Sequence, residues 1–218
     1  MSCTSTPIGL SRLHFPVTTL GPGRRIGVWF QGCSIRCPGC ISADTWAFKA
    51  VRSTVGDVLA SIESWLPAAD GITISGGEPF DQVEALEALL LALRCRSAAD
   101  ILVFSGYSVE ALGEHLSRMG GLIDAIVTDP FERDARQTLR MRGSDNQRLT
   151  FLSPLGQRRF AICEHSRDET DRRLDVAFDD NGAIWFAGIP QRDDLARLGM
   201  LLEAEGHRMT TSEDKSCR

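Results

Sequence analysis

Apolar positions along this chain alternate between short continuous runs and longer periodic stretches, and the two patterns predict different elements. "RIGVWFQG" is β-branched and aromatic, predicts a strand, and delivers the chain into a cysteine-rich loop. "VGDVLASIESWL" (55–66) predicts a helix and "GITIS" (71–75) a short buried strand. In "DQVEALEALLLALRCR" (81–96), Val83, Leu86, Leu89, Leu90 and Leu93 recur at helical spacing. Strand "DILVFS", helix "SVEALGEHLSRM", strand "LIDAIVTD", an irregular polar stretch and strand "RLTFLS" follow. That alternation implies an α/β protein of parallel strands joined by right-handed helical crossovers, with ligand loops at the strands' carboxyl ends. A partial (open) β/α barrel is the expected architecture.

From about residue 152 the pattern changes. A polar stretch, "EHSRDETDRR", precedes "LDVAFDDNGAIWFAG", where "DDNG" between β-rich runs signals a hairpin. The final helix, "DDLARLGMLLEAEG", offers Leu195, Leu198, Leu201 and Leu202 on one face. The chain therefore divides into a core, residues 1–151, and a hairpin-plus-helix extension, residues 152–218, that either docks a partner or caps the last strand. "TTSEDKSCR" is expected to fray.

The composition, 43% hydrophobic and 24% charged over 218 residues, is that of an ordinary globular protein with a substantial core. A formal charge of -5 supplies no basic field for nucleic acid. The longest apolar run, near "LEALLLAL", is too short to span a bilayer, and the first twenty residues lack a signal-peptide pattern, so a cytoplasmic protein is expected.

Seven cysteines are present, three of them crowded into "GCSIRCPGC" as Cys33, Cys37 and Cys40. Such crowding argues against a disulfide framework and for reduced thiols or a metal. Their spacing would also suit one face of a helix, but Pro38 removes a donor and Gly39 lowers helical propensity, so a loop is predicted. A structural zinc completed by a distant ligand and an iron-sulfur cluster with one open iron both remain compatible with three thiolates. Cys3, Cys95, Cys163 and Cys217 read as ordinary, as do the four scattered histidines, and a second cluster is not expected. Trp46 and Phe48 read as core residues.

"SGGEP" (75–79) follows the strand "GITI"; its glycines let backbone approach a ligand closely, and Glu78 and Pro79 lead into the next helix. Cys-x3-Cys-x2-Cys after the first strand, with this glycine motif after the second, resembles the radical S-adenosylmethionine enzymes. "GPGRR" (21–25), "CPGC" followed by "DTW", "FSGYSVEAL" and "RGSDNQR" (142–148) resemble the activating enzymes of anaerobic ribonucleotide reductase and related glycyl-radical activases, over about residues 8 to 151. Asp145 departs from that pattern, where a second serine is expected.

The resemblance implies a radical S-adenosylmethionine barrel with one 4Fe-4S cluster held by Cys33, Cys37 and Cys40. It implies S-adenosyl-L-methionine contacts at Gly39, Ile41, Gly76, Gly77 and Glu78, and Ser105 and Tyr107 at the end of the third strand are placed to join them. No catalytic residue is assigned beyond the cluster. The implied activity is generation of a glycyl radical on a partner enzyme, an anaerobic ribonucleotide reductase, with electrons from a donor such as flavodoxin or ferredoxin. A radical enzyme acting on a small molecule or peptide, or a noncatalytic iron-sulfur or zinc protein, are the alternatives. Gly77→Val is expected to damage cofactor binding more than cluster assembly.

Overall fold

The computed structural model describes residues 3–168, 171, 173–178 and 184–208. After β1 (Pro7–Ile8) and β2 (Leu10–Val17), β3 (Arg25–Phe30) is buried at every residue, and the chain then loops to β4 (Ser53–Thr54), which pairs with β1. Helix α1 (Val55–Ile62) starts at a capping box: the Thr54 hydroxyl accepts from the Asp57 N–H while the Asp57 carboxylate accepts from the Thr54 N–H. Next come β5 (Gly71–Gly76), α2 (Val83–Arg94), β6 (Asp100–Phe104), α3 (Gly113–Arg118), β7 (Ala125–Thr128), β8 (Arg148–Phe151) and α4 (Pro154–Phe160). The extension holds β9 (Asp175–Phe178), β10 (Ile184–Ala187) and α5 (Asp194–Ala204).

The main sheet is mixed, in the order β2-β3-β5-β6-β7-β8. Its centre, β3 to β7, is parallel. Both edges are antiparallel, which departs from the all-parallel expectation. The reason lies in the connections: residues between β7 and β8 form no crossover helix, so the chain returns beside β7 in the opposite direction. Edge strand β2 and helix α4 had no clear periodic signal, and the helix expected from Ser108 forms regular α-helix only from Gly113.

Burial on both faces gives the parallel strands their continuous apolar runs. Ile26, Val28, Ile72, Ile74, Ile101 and Val103 form the main core with the inward faces of α1 and α2. Leu102, Ala125 and Val127 turn the other way and pack on Phe160. Under the sheet, Arg25 is fully buried and its guanidinium donates to Asp100 at 2.6 Å, to the Thr73 hydroxyl at 2.6 Å and to the Ile72 carbonyl at 2.8 Å.

β9 and β10 pair antiparallel, Asp175 opposite Ala187 and Phe178 opposite Ile184. The predicted turn, Asp179–Gly182, and the tail "TTSEDKSCR" lie outside the described residues, as does part of the polar stretch before the hairpin. The pair is fastened to the core by the Asp175 carboxylate, which accepts from the N–H and hydroxyl of both Thr18 and Thr19 at 2.7–3.0 Å. Trp185 adds an edge-on contact with Trp29 (centroids 5.5 Å apart) and another with His14 (4.8 Å). On α5 the expected apolar face is only partly covered, since Leu201 is exposed.

Candidate metal centre

The cysteine loop begins where β3 ends, and its mouth is stitched shut by backbone and amide bonds. Gly32 N–H donates to the Thr45 carbonyl at 2.7 Å and Cys33 N–H to the Trp46 carbonyl at 3.1 Å. The Gln31 side-chain amide donates to the Thr45 and Ala47 carbonyls, and the Gln82 amide to those of Gly9 and Gln31. Within the loop Cys40 N–H donates to the Cys37 carbonyl at 3.1 Å, and Arg36 takes a left-handed φ of 52°. Cys33 is buried and Cys37 and Cys40 are half-buried.

The glycine turn at the end of β5 lies directly against this loop. Gly77 N–H donates to the Phe30 carbonyl at 2.9 Å and Glu78 N–H to the Gly32 carbonyl at 2.8 Å. Gly76 has φ +104°, and a side chain on it would strike the backbone of Phe30. One on Gly77 would strike the carbonyl of Gly32. Both glycines are therefore required by close approach of two backbones, whatever else they contact.

Glu78 is buried, and its carboxylate accepts from the Phe80 N–H at 3.0 Å, the Gly106 N–H at 2.8 Å and the Ser105 hydroxyl at 2.9 Å. Burial nonetheless pushes its pKa up to about 7, overriding those donors. Tyr107 departs from the expected arrangement: its hydroxyl bonds to Asp81 and Ser34, and it is not among the residues lining the cavity described next.

A cavity of about 530 Å³ brings the expected residues together: Cys33, Cys37 and Cys40, with Gly39 and Ile41, on one side, and Gly76, Gly77, Glu78 and Ser105 on the other. Among the described residues no three His, Cys, Asp or Glu are gathered as a single metal ion requires. A 4Fe-4S cluster takes its thiolates at separate irons, so three thiols on one loop that all line the cavity fit it without converging on a single ion. Burial raises the pKa of all three thiols in the metal-free chain, so they call for an adjacent cationic centre to ionise. Trp46 lines the same cavity; its buried indole N–H has no acceptor in hydrogen-bond geometry, yet lies close enough to Cys40 to favour the thiolate. A cluster would provide the acceptor that this N–H lacks.

Trp46 is thus a wall residue rather than core, and Phe48, also expected in the core, is 60% exposed. Two further walls had no sequence signal. One is the irregular stretch after β7, contributing Phe131, Arg133 and Gln137; Asp145 secures it, its carboxylate accepting from the Thr138 N–H and hydroxyl and from the Leu139 N–H. The other is Ile189–Ala196 in the extension. Cys95, exposed at the end of α2, and Cys163, buried against Phe160, lie outside the cavity.

A family model described as "4Fe-4S single cluster domain" matches residues 19–150. The anaerobic ribonucleoside-triphosphate reductase-activating protein of Escherichia coli K12 is 29% identical over 143 residues, covering 62% of this chain and 93% of that protein. Its namesake from phage T4 is 28% identical over 134 residues, 59% of this chain and 85% of the relative. The pyruvate formate-lyase-activating enzyme of Staphylococcus aureus USA300 is 29% identical over 141 residues, 61% of this chain and 56% of the relative. With three cysteines and a glycine turn facing one cavity inside the matched region, the chain belongs to the 4Fe-4S single cluster domain family and is a radical S-adenosylmethionine activating enzyme.

Proposed function

We propose that this protein generates a glycyl radical on an anaerobic ribonucleoside-triphosphate reductase, using S-adenosyl-L-methionine and a one-electron donor such as flavodoxin or ferredoxin. The single observation that carries the reading is the convergence of Cys33, Cys37 and Cys40 with Gly76, Gly77 and Glu78 on one cavity. The reductase activators of E. coli and phage T4 support the choice of partner. The strand order and parallel centre support reading the core, residues 1–151, as a partial radical S-adenosylmethionine barrel.

In this reading Cys33, Cys37 and Cys40 hold one 4Fe-4S cluster. When bound, it supplies the electron that cleaves S-adenosylmethionine to methionine and a 5'-deoxyadenosyl radical, which takes a hydrogen atom from the partner's glycine. The chain's own residues position the reactants. Gly76 and Gly77 would offer backbone to the amino end of S-adenosylmethionine, Gly39 and Ile41 would contact it from the cysteine loop, and Glu78 holds the Ser105–Gly106 turn.

The test is anaerobic reconstitution with iron and sulfide, then reduction with S-adenosylmethionine, with and without the reductase. A glycyl-radical electron paramagnetic resonance signal on the reductase is expected. The Staphylococcus relative makes pyruvate formate-lyase the comparison partner. A purified protein that takes up zinc and no iron-sulfur cluster would overturn the reading.

A further inference from the structure

Ile189, Pro190, Gln191, Arg192, Asp193, Leu195 and Ala196 line the same cavity as the three cysteines, although they lie beyond residue 150, where the family match ends. They sit between β10 and the first turn of α5 and are held from both sides. Upstream, the Asp175 carboxylate clamps the hairpin to Thr18 and Thr19, and the Thr19 hydroxyl shares its one proton between that carboxylate and the Ala187 carbonyl, 3.0 Å away. At the segment itself, the Gln137 amide donates to the Pro190 carbonyl at 2.9 Å and the Arg167 guanidinium to the Ile189 carbonyl at 2.5 Å. Downstream, the Gln191 N–H donates to the Asp194 carboxylate at 2.9 Å, which begins α5. Ile189, Pro190, Leu195 and Ala196 give this wall an apolar surface, and Arg192 is exposed at its edge.

We infer that Ile189–Ala196 is a built-in wall of the reaction chamber that sets the size of what reaches the cysteine loop, making the extension a specificity-determining part of the site. The inference rests on the proposed radical reading for its meaning. A chamber holding a reactive carbon radical has to exclude water and wrong substrates, and here the chain's own extension does part of that work. Two latches, Asp175 and Arg167, hold this wall from outside the cavity lining through separate contacts, so releasing either should loosen the same wall.

The experiment uses the full-length, metal-free chain and its Asp175→Ala and Arg167→Ala variants, labelled with iodoacetamide or with the bulkier fluorescein maleimide. Labelling at Cys37 and Cys40 is read by mass spectrometry, with exposed Cys95 as internal reference. The bulky reagent should gain about threefold or more in rate at Cys37 and Cys40 in both variants, and iodoacetamide should gain less, because local release opens a path without unfolding the core. Trypsin cleavage after Arg192 or Arg197 reports that release directly. Faster cleavage with unchanged bulky labelling overturns the wall, and unchanged cleavage together with unchanged labelling overturns the latches and the wall with them. Neither measurement needs a cluster or S-adenosylmethionine. A parent chain that holds no iron-sulfur cluster would sink the radical reading, while the labelling would still decide the wall.

Discussion

The N–H of Glu78 donates to the carbonyl oxygen of Gly32 at 2.8 Å, which ties the glycine turn to the residue preceding the first cysteine. The turn that would receive the cofactor and the loop that would hold the cluster are thus mechanically coupled.

That coupling changes the expected phenotype at Gly77. From sequence alone, Gly77→Val should give a coloured, inactive protein. In the structure its side chain would displace the Gly32 carbonyl and with it Cys33. The expected outcome is loss of cluster as well as of cofactor binding, measured as iron per chain and absorbance after reconstitution. A Gly77→Val protein with full iron content and defective S-adenosylmethionine binding would restore the simpler view.

Alanine at Cys33, Cys37 or Cys40 should remove most of the reconstituted cluster, because no other cysteine lines the cavity among the described residues. Cys95→Ala should leave iron content unchanged. The check is iron and sulfide analysis across the four variants; a loop variant that keeps its cluster would displace that cysteine from the ligand set.

Glu78 predicts a pH-dependent stability. Its folded pKa is raised from 4.5 to about 7, with burial the largest cause. Between those values the unfolded chain releases a proton that the folded chain retains. The stability linked to this group is therefore full below about pH 4.5 and lost as pH rises through about 7, by up to ~3 kcal/mol. Urea unfolding of the metal-free chain between pH 5 and 8 should show that decline, and Glu78→Gln should flatten it. Identical slopes in parent and variant would refute the assignment.

Arg25 lies in the "GPGRR" sequence that carries part of the family resemblance, and the structure gives it a folding role. Its guanidinium is buried between Asp100, Thr73 and the Ile72 carbonyl. Arg25→Ala leaves Asp100 with Arg159 as its remaining ion-pair partner and should cost about 3–5 kcal/mol in urea unfolding. A loss below 1 kcal/mol would show that the Asp100–Arg159 pair suffices on its own.

Elements whose signal is local could be read directly from the chain. Periodicity placed α2 and the buried parallel strands, because a two-sided core imposes a continuous apolar run on β5 and a 3.6-residue repeat on the helix beside it. The crowded cysteines suited a metal or a cluster, and their resemblance, together with the glycine pair, to radical S-adenosylmethionine motifs implied one site. Features that depend on residues far apart in the chain emerged with the fold. It added the antiparallel edge strand β2, reversed the outer strand β8, turned Tyr107 toward Asp81 instead of the cavity, and brought Trp46, Phe131 and Leu195 to its walls. A wall residue needs no motif, only a place where two surfaces meet, and pairing such as Asp175 with Thr18 and Thr19 across more than 150 positions leaves no periodic trace in the chain.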